Sequence, residues 1–371
     1  MAYETELMGL TLKNPIMTAS GPWAGNAAGI QRCIDEGAAA VITETISLEA
    51  RERISPRLFA EENKLFNTML YSYMHLEEWE DEFRKIDRKD AKIICSIWGA
   101  TPSEIAYLAR KVEHMGADAI ELSISAPIGS RNRFLSQVSD IYEYALACVG
   151  AVNIPVMVKL SYEASCSPWF LRELEQAGVQ AVSAIDALKG LAGVDIETGK
   201  TRMPTYGGYT GSHIHPVSLA TTATLHQHTR LPVVSSGGVM SHEAVLEFMM
   251  LGATAVQLAS AILFSGYEVI SDTIDSFERW MQEHYFTDIA TIRGNALPSL
   301  HAYEDIVPGD LCAAPMEKCQ RIDCKICVQS CLPHAVYYDD TGSIVIDELL
   351  CDGCGLCVAR CPYRLLTLEW N

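Results

Sequence analysis

One complete unit of the fold is contained in residues 232–260, which read PVVSSGGVMSHEAVLEFMMLGATAVQLAS. Two short apolar strands flank an amphipathic helix whose start is marked by Ser241. Gly252 lies between the helix and the second strand, where a left-handed residue turns the chain back toward a sheet. Strands that are apolar throughout are typical of parallel sheets covered by helices on both faces. The stretch therefore predicts a β-α-β unit.

The same alternation fills the first 300 residues of this 371-residue chain. Apolar strands are predicted at 15–20, 40–46, 92–98, 119–125, 155–160, 180–186, 232–236 and 255–260. Four helices are predicted to end at a glycine, namely Gly37, Gly116, Gly178 and Gly252. Eight such units predict an α/β fold, a (β/α)8 TIM barrel, to which we assign residues 1–305. An open doubly wound sheet is the alternative, but no G-x-G-x-x-G motif follows the first strand.

Two long insertions interrupt the alternation, at residues 47–73 after the second strand and at 188–212 after the sixth. Both leave from the carboxyl ends of strands, where barrel enzymes carry their active sites. Long loops in compact domains are more often functional than incidental. We therefore expect both insertions to cover an active site.

Nine of the thirteen cysteines lie within residues 312–361. Eight of these nine form one run spaced C-x4-C-x2-C-x3-C and a second spaced C-x2-C-x2-C-x3-C that is followed by Pro362. Such runs ligate [4Fe-4S] clusters, and in two-cluster ferredoxins the fourth cysteine of each run binds the other cluster. We therefore predict a small ferredoxin-like domain at residues 306–371 with two [4Fe-4S] clusters. The predicted ligand sets are Cys351, Cys354, Cys357 with Cys331, and Cys319, Cys324, Cys327 with Cys361.

A pair of zinc knuckles is the alternative interpretation of these cysteines, since zinc needs four ligands per site. The four-residue spacing at the start of the first run indicates either a bulged loop or competition from Cys312. We expect Cys312 to be a spectator.

Composition excludes several classes of protein. Hydrophobic residues make up 49% and charged residues 20%, which is a globular rather than a disordered balance. The net charge of −19 disfavours binding to the phosphates of nucleic acids. The first residues show no secretory signal, and the apolar stretch 244–264 is broken by Glu247 and Gln257. We expect a cytoplasmic protein that binds neither nucleic acid nor membrane.

The predicted barrel mouth offers a phosphate site. Gly237 and Gly238 follow the seventh strand, and Ala259 and Ser260 end the eighth, where barrels often hold phosphate through backbone N–H groups. Two tight turns would explain the glycines equally. Lys159 ends the fifth strand and is expected to reach a phosphate or a reduced flavin, unless its head merely extends to solvent. Flavin converts single electrons from clusters into hydride chemistry, so we interpret the site as that of FMN.

Six motifs stand in order along the chain: NPIMTASGP (14–22), ISPR (54–57), VSAIDALKGLAG (182–193), TYGGYTGSHIHP (205–216), SSGGV (235–239) and GATAVQLASAI (252–262). With them the chain resembles the dihydroorotate dehydrogenase family over essentially its whole length. Within that family it is most similar to the flavin and iron–sulfur part of dihydropyrimidine dehydrogenases. The resemblance implies a TIM barrel, FMN, and a homodimer.

The resemblance also implies roles for individual residues. Asn67 corresponds to a substrate-binding asparagine of the family. The implied FMN-binding positions are Ala19, Ser20, Thr45, Lys159, Thr210, Gly211, Gly237, Gly238, Ala259 and Ser260.

The sequence departs from the family pattern where the substrate binds. Ala126 replaces the catalytic cysteine of the Asn-Leu-Ser-Cys-Pro loop, and Ser123 replaces its first asparagine. Glu44 replaces a lysine, and Asp186 replaces an asparagine. Alanine cannot transfer a proton, so another group must act as acid and base. The candidate catalytic residues are Glu44, Ser125, Asp186 and His213.

Three functions remain open. The first is an FMN oxidoreductase that acts on a C–C or C–N bond next to a carbonyl in a small cyclic or conjugated substrate, with electrons passing through both clusters. The second is a true dihydropyrimidine or dihydroorotate dehydrogenase whose acid and base is not a cysteine. The third is an electron-transfer subunit of a larger complex. The sequence carries no nicotinamide fingerprint, so a ferredoxin or an NAD(P)H-oxidising flavoprotein subunit is the expected electron partner.

Overall fold

A computed structural model describes residues 3–49, 55–68, 71–124, 138–306, 309 and 311–370. The strands are β1 Thr5–Leu7, β2 Leu10–Leu12, β3 Ile16–Thr18, β4 Ala40–Ile42, β5 Leu58–Glu61, β6 Lys64–Asn67, β7 Lys92–Ile97, β8 Ala119–Ser123, β9 Val156–Leu160, β10 Ala181–Ala184, β11 Leu188–Gly190, β12 Val194–Asp195, β13 Lys200–Thr201, β14 Gly207–Gly211, β15 Val233–Ser236, β16 Ala255–Leu258, β17 Leu311–Pro315, β18 Val336–Tyr338, β19 Ile344–Ile346 and β20 Leu366–Trp370.

The helices are α1 Ala27–Asp35, α2 Leu76–Phe83, α3 Pro102–His114, α4 Val138–Val149, α5 Tyr162–Ser165, α6 Pro168–Gln176, α7 His215–His228, α8 His242–Met250, α9 Ser260–Ser265, α10 Val269–Glu283, α11 Ile326–Ser330 and α12 Leu356–Arg360. Short 3-10 helices lie at Pro22–Ala24, Ser212–Ile214, Ile289–Thr291, Leu297–Ser299 and Tyr303–Asp305. The described helices include none with the length and apolar character to cross a membrane.

Eight parallel strands close into a barrel in the order β3, β4, β7, β8, β9, β10, β15, β16. The barrel closes where β16 pairs with β3, with Val256 opposite Ile16 and Leu258 opposite Thr18. This closure confirms the predicted TIM barrel and excludes the open sheet, which would leave its two outermost strands unpaired. The four glycines predicted at helix ends all have positive φ, as the prediction required: Gly37, Gly116, Gly178 and Gly252.

The amino-terminal end of the barrel is filled by apolar side chains. Every barrel strand contributes at least one residue to this buried cluster, such as Met17 from β3 and Met157 from β9. Leu7 and Leu12 of the hairpin β1–β2 belong to the same cluster and are fully buried. Because this end is packed, open space for a ligand lies toward the carboxyl ends of the strands.

The two insertions form one antiparallel sheet in the order β11-β14-β6-β5. Residues 141 and 145 positions apart pair directly, with Asn67 opposite Gly208 and Thr210 opposite Leu65. The rings of Phe66 and Tyr209 stack with centroids 4.8 Å apart. A single sheet therefore joins the loop after β4 to the loop after β10.

The chain divides into two compact units, Met1–Ser299 and Leu300–Asn371. The second unit contains the antiparallel pairs β17–β20 and β18–β19 and the short helices α11 and α12. Ala313, Val336, Ile344 and Leu366 are buried at its centre together with Cys357. Its small core surrounds the cysteines, which confirms the predicted ferredoxin-like fold.

Candidate active site

A cavity of about 210 Å³ lies at the carboxyl ends of the barrel strands. Its wall combines strand ends with Leu65, Asn67 and Thr210 of the inserted sheet. Both insertions therefore reach the cavity, as the sequence predicted. The predicted site residues that line it are Ala19, Ser20, Glu44, Thr45, Asn67, Ser123, Lys159, Asp186, Thr210, Gly237, Gly238, Ala259 and Ser260.

Three predicted residues are not placed in this wall. Gly211 is buried in β14 with φ of 102°, and a Cβ there would collide with the carbonyl oxygen of Asn63. His213 is exposed in a 3-10 helix and does not line the cavity. Ser125, with its neighbour Ala126, lies outside the described residues.

The turn after β15, where the sequence predicts a phosphate site, lines the cavity. Gly237 and Gly238 have φ of 108° and 79°, a conformation that side chains disfavour. A Cβ on Gly237 would collide with the hydroxyl of Ser218 in α7. The backbone of this turn is therefore exposed to the cavity on one side and packed against α7 on the other, a shape suited to an anion that binds N–H groups.

Lys159 projects from β9 into a buried polar network. Its ammonium donates to Gln257 Oε1 at 2.6 Å and to Ser236 Oγ at 3.1 Å. The amide of Gln257 donates in turn to Glu121 Oε2 at 3.0 Å, and Ser183 Oγ donates to the same oxygen at 2.8 Å. Lys159 is only 8% exposed but lines the cavity, so its charge acts on whatever the cavity holds.

A row of hydroxyls crosses the neighbouring strand ends. Thr45 Oγ1 lies 3.0 Å from Ser20 Oγ and 2.9 Å from Ser96 Oγ. All three side chains line the cavity. Hydroxyls both donate and accept, so this row can match either polarity in a flavin or substrate ring.

Two carboxylates also belong to the wall, and they follow strands on opposite sides of the barrel. Glu44 follows β4, and its Oε2 is buried at 2.9 Å from the position that a Cβ on Gly25 would occupy. Asp186 follows β10, and its Oδ1 accepts the N–H of Ala187 at 2.8 Å. Asn67 Nδ2 donates to the carbonyl of Gly208 at 3.4 Å, a long hydrogen bond that a substrate acceptor can replace.

The two cysteine runs adopt the same local structure. Lys325 and Gly355 are left-handed and precede five-residue helices that carry the third cysteine of each run. The fourth cysteine of each run is extended, and its sulfur accepts an N–H from four residues further on: Ala335 to Cys331 at 3.2 Å and Leu365 to Cys361 at 3.4 Å. Backbone N–H donors to sulfur are typical of iron–sulfur ligands.

Thiols within the second unit lie close enough to affect one another's pKa. Burial raises the pKa of the Cys357 thiol, and the charges of Cys351, Cys331 and Cys354 raise that pKa further. Burial likewise raises the pKa of Cys327, with Cys319 and Cys324 as its charged neighbours. Within the described residues no three His, Cys, Asp or Glu side chains are spaced for a single metal ion.

Cys312 is buried in β17 and its thiol is hydrogen-bonded to the carbonyl of Ala313 at 3.4 Å. Burial and the neighbouring Cys351 raise its pKa to about 11. The role of Cys312 as a spectator stays a prediction.

A family model described as dihydroorotate dehydrogenase matches residues 2–281. The chain belongs to the dihydroorotate dehydrogenase family. A second model, a 4Fe-4S binding domain, matches residues 344–367. The catalytic subunit of dihydroorotate dehydrogenase B (NAD(+)) from Pyrococcus abyssi is 32% identical over 302 residues, which are 79% of this chain and 99% of the relative. The subunit of the same name from Methanosarcina mazei is 33% identical over 304 residues, or 78% of this chain and 94% of the relative.

Family membership makes the chain a flavoprotein oxidoreductase that acts on CH–CH groups, with an iron–sulfur domain. The residues present fit the FMN that the family implies. The glycine turn gives the phosphate a surface that any Cβ would fill, and Lys159 offers a cation at the barrel mouth. When bound here, FMN would be held by these groups and by the hydroxyls of Ser20 and Thr45.

Several residues of the site were not predicted from the sequence. In the sequence, Glu121 and Gln257 look like ordinary residues of apolar strands. Their roles depend on a hydrogen bond between side chains that are 136 positions apart. Ser96 and Trp23 line the cavity, and Tyr71 stacks on Trp98 with centroids 4.4 Å apart. One signal was available: a charged residue in the middle of an apolar strand, such as Glu121 in AIELS, is rarely buried without a partner.

Proposed function

We propose that the chain is an FMN-dependent oxidoreductase that acts on a C–C or C–N bond next to a carbonyl, in a small cyclic or conjugated substrate without a carboxylate. The observation that supports this proposal is the charge of the cavity wall, to which Glu44 and Asp186 each contribute a carboxylate. Lys159 already donates a hydrogen bond within the network that ends at Glu121. A carboxylate held about 4 Å from either acid would meet a repulsion of about 4 kcal/mol at an effective dielectric constant of about 20.

The residues of this wall have separate roles in the reaction. FMN supplies or accepts the hydride when it is bound. Glu44 delivers the proton to the neighbouring carbon in the reductive direction and removes it in the oxidative one. Asn67 turns its amide from the Gly208 carbonyl to the substrate carbonyl and so orients the ring. Asp186 keeps its second carboxylate oxygen for a substrate N–H, since Oδ1 caps Ala187.

The standard family activity is the second candidate, and two observations favour it. The relatives described above are named for dihydroorotate dehydrogenation. Asn67 lines the cavity as a pyrimidine-binding residue would. In this case Ser125 or a water must take the place of the family's cysteine as acid and base.

We further propose that the second unit holds two [4Fe-4S] clusters, which the matching geometry of the two cysteine runs supports. Electrons would enter from a ferredoxin or from an NAD(P)H-oxidising flavoprotein subunit. The relatives are named as catalytic subunits that use NAD(+), which favours a separate subunit for the nicotinamide.

Anaerobic reoxidation of the chemically reduced protein tests the proposal. The flavin absorbance is followed while uracil, orotate and uncharged ring carbonyl compounds are added one at a time. We expect reoxidation by an uncharged ring carbonyl compound other than uracil, and none by orotate or uracil. Reoxidation by orotate or uracil at a comparable rate would overturn the substrate assignment in favour of the standard activity. No reoxidation by any compound, with FMN and about eight irons present, would favour an electron-transfer subunit.

A further inference from the structure

Glu121 is a buried carboxylate in the wall of the barrel. It lies on β8, is 1% exposed, and one of its oxygens accepts from both Ser183 and Gln257. A buried ionised carboxylate is destabilising unless hydrogen bonds and an opposite charge compensate it. Within the part of the chain that the structure describes, the network around Glu121 contains one cation, Lys159.

The amide of Gln257 connects the two charges. An ammonium can only donate and an ionised carboxylate can only accept, so the amide must present Oε1 to Lys159 and Nε2 to Glu121. The distances of 2.6 Å and 3.0 Å fit this one orientation. Gln257 is fully buried, so water cannot replace either partner. If the carboxylate is lost, only the ammonium of Lys159 is left in this network to hold the amide in that orientation.

We propose that Glu121 is a positioning residue that holds Lys159 toward the cofactor through the amide of Gln257 and balances its charge. This inference rests on the FMN site proposed above. Ser236 fixes Lys159 from another side, and its own hydroxyl donates to the carbonyl of Ile185 at 2.9 Å. Ser236 and the carbonyl therefore set where the ammonium can lie, while Glu121 and Gln257 set how firmly it is held.

The first test is the affinity for FMN of the full chain, in a cycle of Glu121→Gln and Lys159→Met. We expect Glu121→Gln to weaken FMN binding about tenfold, the effect of losing a charge-assisted hydrogen bond. In the Lys159→Met background the same substitution should change the affinity less than about twofold, because no ammonium is left to position. Equal effects of Glu121→Gln in both backgrounds would overturn the proposal.

The second test needs no cofactor. In urea unfolding, Lys159→Met leaves Glu121 buried without its cation, so we expect the double variant to be more stable than Lys159→Met alone. Ser183→Ala is the matched control, because it removes one hydrogen bond to Glu121 and keeps both charges; its effect should add to that of Lys159→Met. Additivity in the charge cycle as well would contradict the inference.

Two further outcomes can be told apart, namely a variant that does not fold and a chain that binds no FMN. If Glu121→Gln does not fold, Gln257→Met breaks the same connection and must weaken FMN binding in the wild-type background but not with Lys159→Met. If the chain binds no FMN at all, the proposed function fails, whereas coupling between Glu121 and Lys159 in unfolding would still support their pairing.

Discussion

The backbone of Gly238 lies directly against His215, the first residue of α7. A Cβ at residue 238 would stand 2.6 Å from His215 Cβ and 2.7 Å from its backbone nitrogen. Because backbone cannot move aside as a flexible side chain does, this contact sets the shape of the turn that faces the cavity.

Gly238→Ala should therefore weaken FMN binding by more than tenfold while the barrel still folds. The left-handed φ alone costs about 1–2 kcal/mol for a residue with a Cβ, and the collision displaces the turn. Gly199→Ala is the matched control: its φ is also positive, at 67°, but nothing lies within 4 Å of the added carbon. Equal FMN affinity in the two variants, measured by flavin fluorescence, would show that the turn does not hold the phosphate.

Glu44→Gln should lower the rate of substrate-dependent flavin reoxidation by about 10²- to 10⁴-fold, the usual contribution of a general acid. FMN content should not change, because Glu44 is not among the residues that we expect to hold FMN. Asp186 is the other candidate for the proton transfer. Its test is Asp186→Asn, which keeps an Oδ1 acceptor for Ala187. A large loss in Asp186→Asn with a small one in Glu44→Gln would transfer the proton step to Asp186.

Glu44→Lys should shift the substrate preference toward anions. The change alters the local charge by two units and restores the residue type that the family has there. We expect orotate to reoxidise this variant faster than the wild type, and we would measure both rates anaerobically. An unchanged rate with orotate would indicate that charge at residue 44 does not exclude it.

Cys354→Ala should lower the iron content from about eight to about four per chain, because one cubane loses a ligand. Its thiol is exposed and is one of the charged neighbours of Cys357. Cys312→Ala is the control and should keep the full iron content. Loss of a cluster in Cys312→Ala would make Cys312 a ligand and contradict its predicted role as a spectator.

Glu82 should make the barrel sensitive to acid. Its Oε1 pairs with Lys85 at 2.5 Å and its Oε2 accepts the N–H of Ala27 at the start of α1 at 2.7 Å. The hydrogen bond from Lys85 and the one from Ala27 hold the pKa of Glu82 below its usual 4.5. A lowered native pKa stabilises the fold above about pH 4.5, and this stabilisation is lost as the pH falls through the native pKa.

The stability of Glu82→Gln in urea should accordingly lie below that of the wild type at pH 7 and approach it below pH 4.5. Glu77→Gln, which changes an exposed residue on the same helix, is the control and should show no such convergence. A difference between Glu82→Gln and the wild type that does not depend on pH would refute the ionic role of Glu82.

Local patterns were sufficient for much of the architecture. The apolar strands and the glycines at helix ends, such as Gly37 and Gly252, are properties of a few neighbouring residues, and the structure confirms them. Strand ends were predicted too long, as at 15–20 against Ile16–Thr18, because the last residues leave the ladder to line the cavity. His213 was predicted to be catalytic from its residue type alone. It is exposed because of the course of the backbone, which the residue type does not reveal.

The sequence by itself determined the barrel, the cysteine runs and most of the predicted residues in the cavity wall. Strand period, glycine conformation and ligand spacing all depend on short stretches of sequence. Only the tertiary structure decided which distant residues meet. It joined two insertions through Asn67 and Gly208, and it connected Lys159 to Glu121 through Gln257. Such contacts depend on strand order and register, and a barrel establishes both only when its last strand pairs with its first.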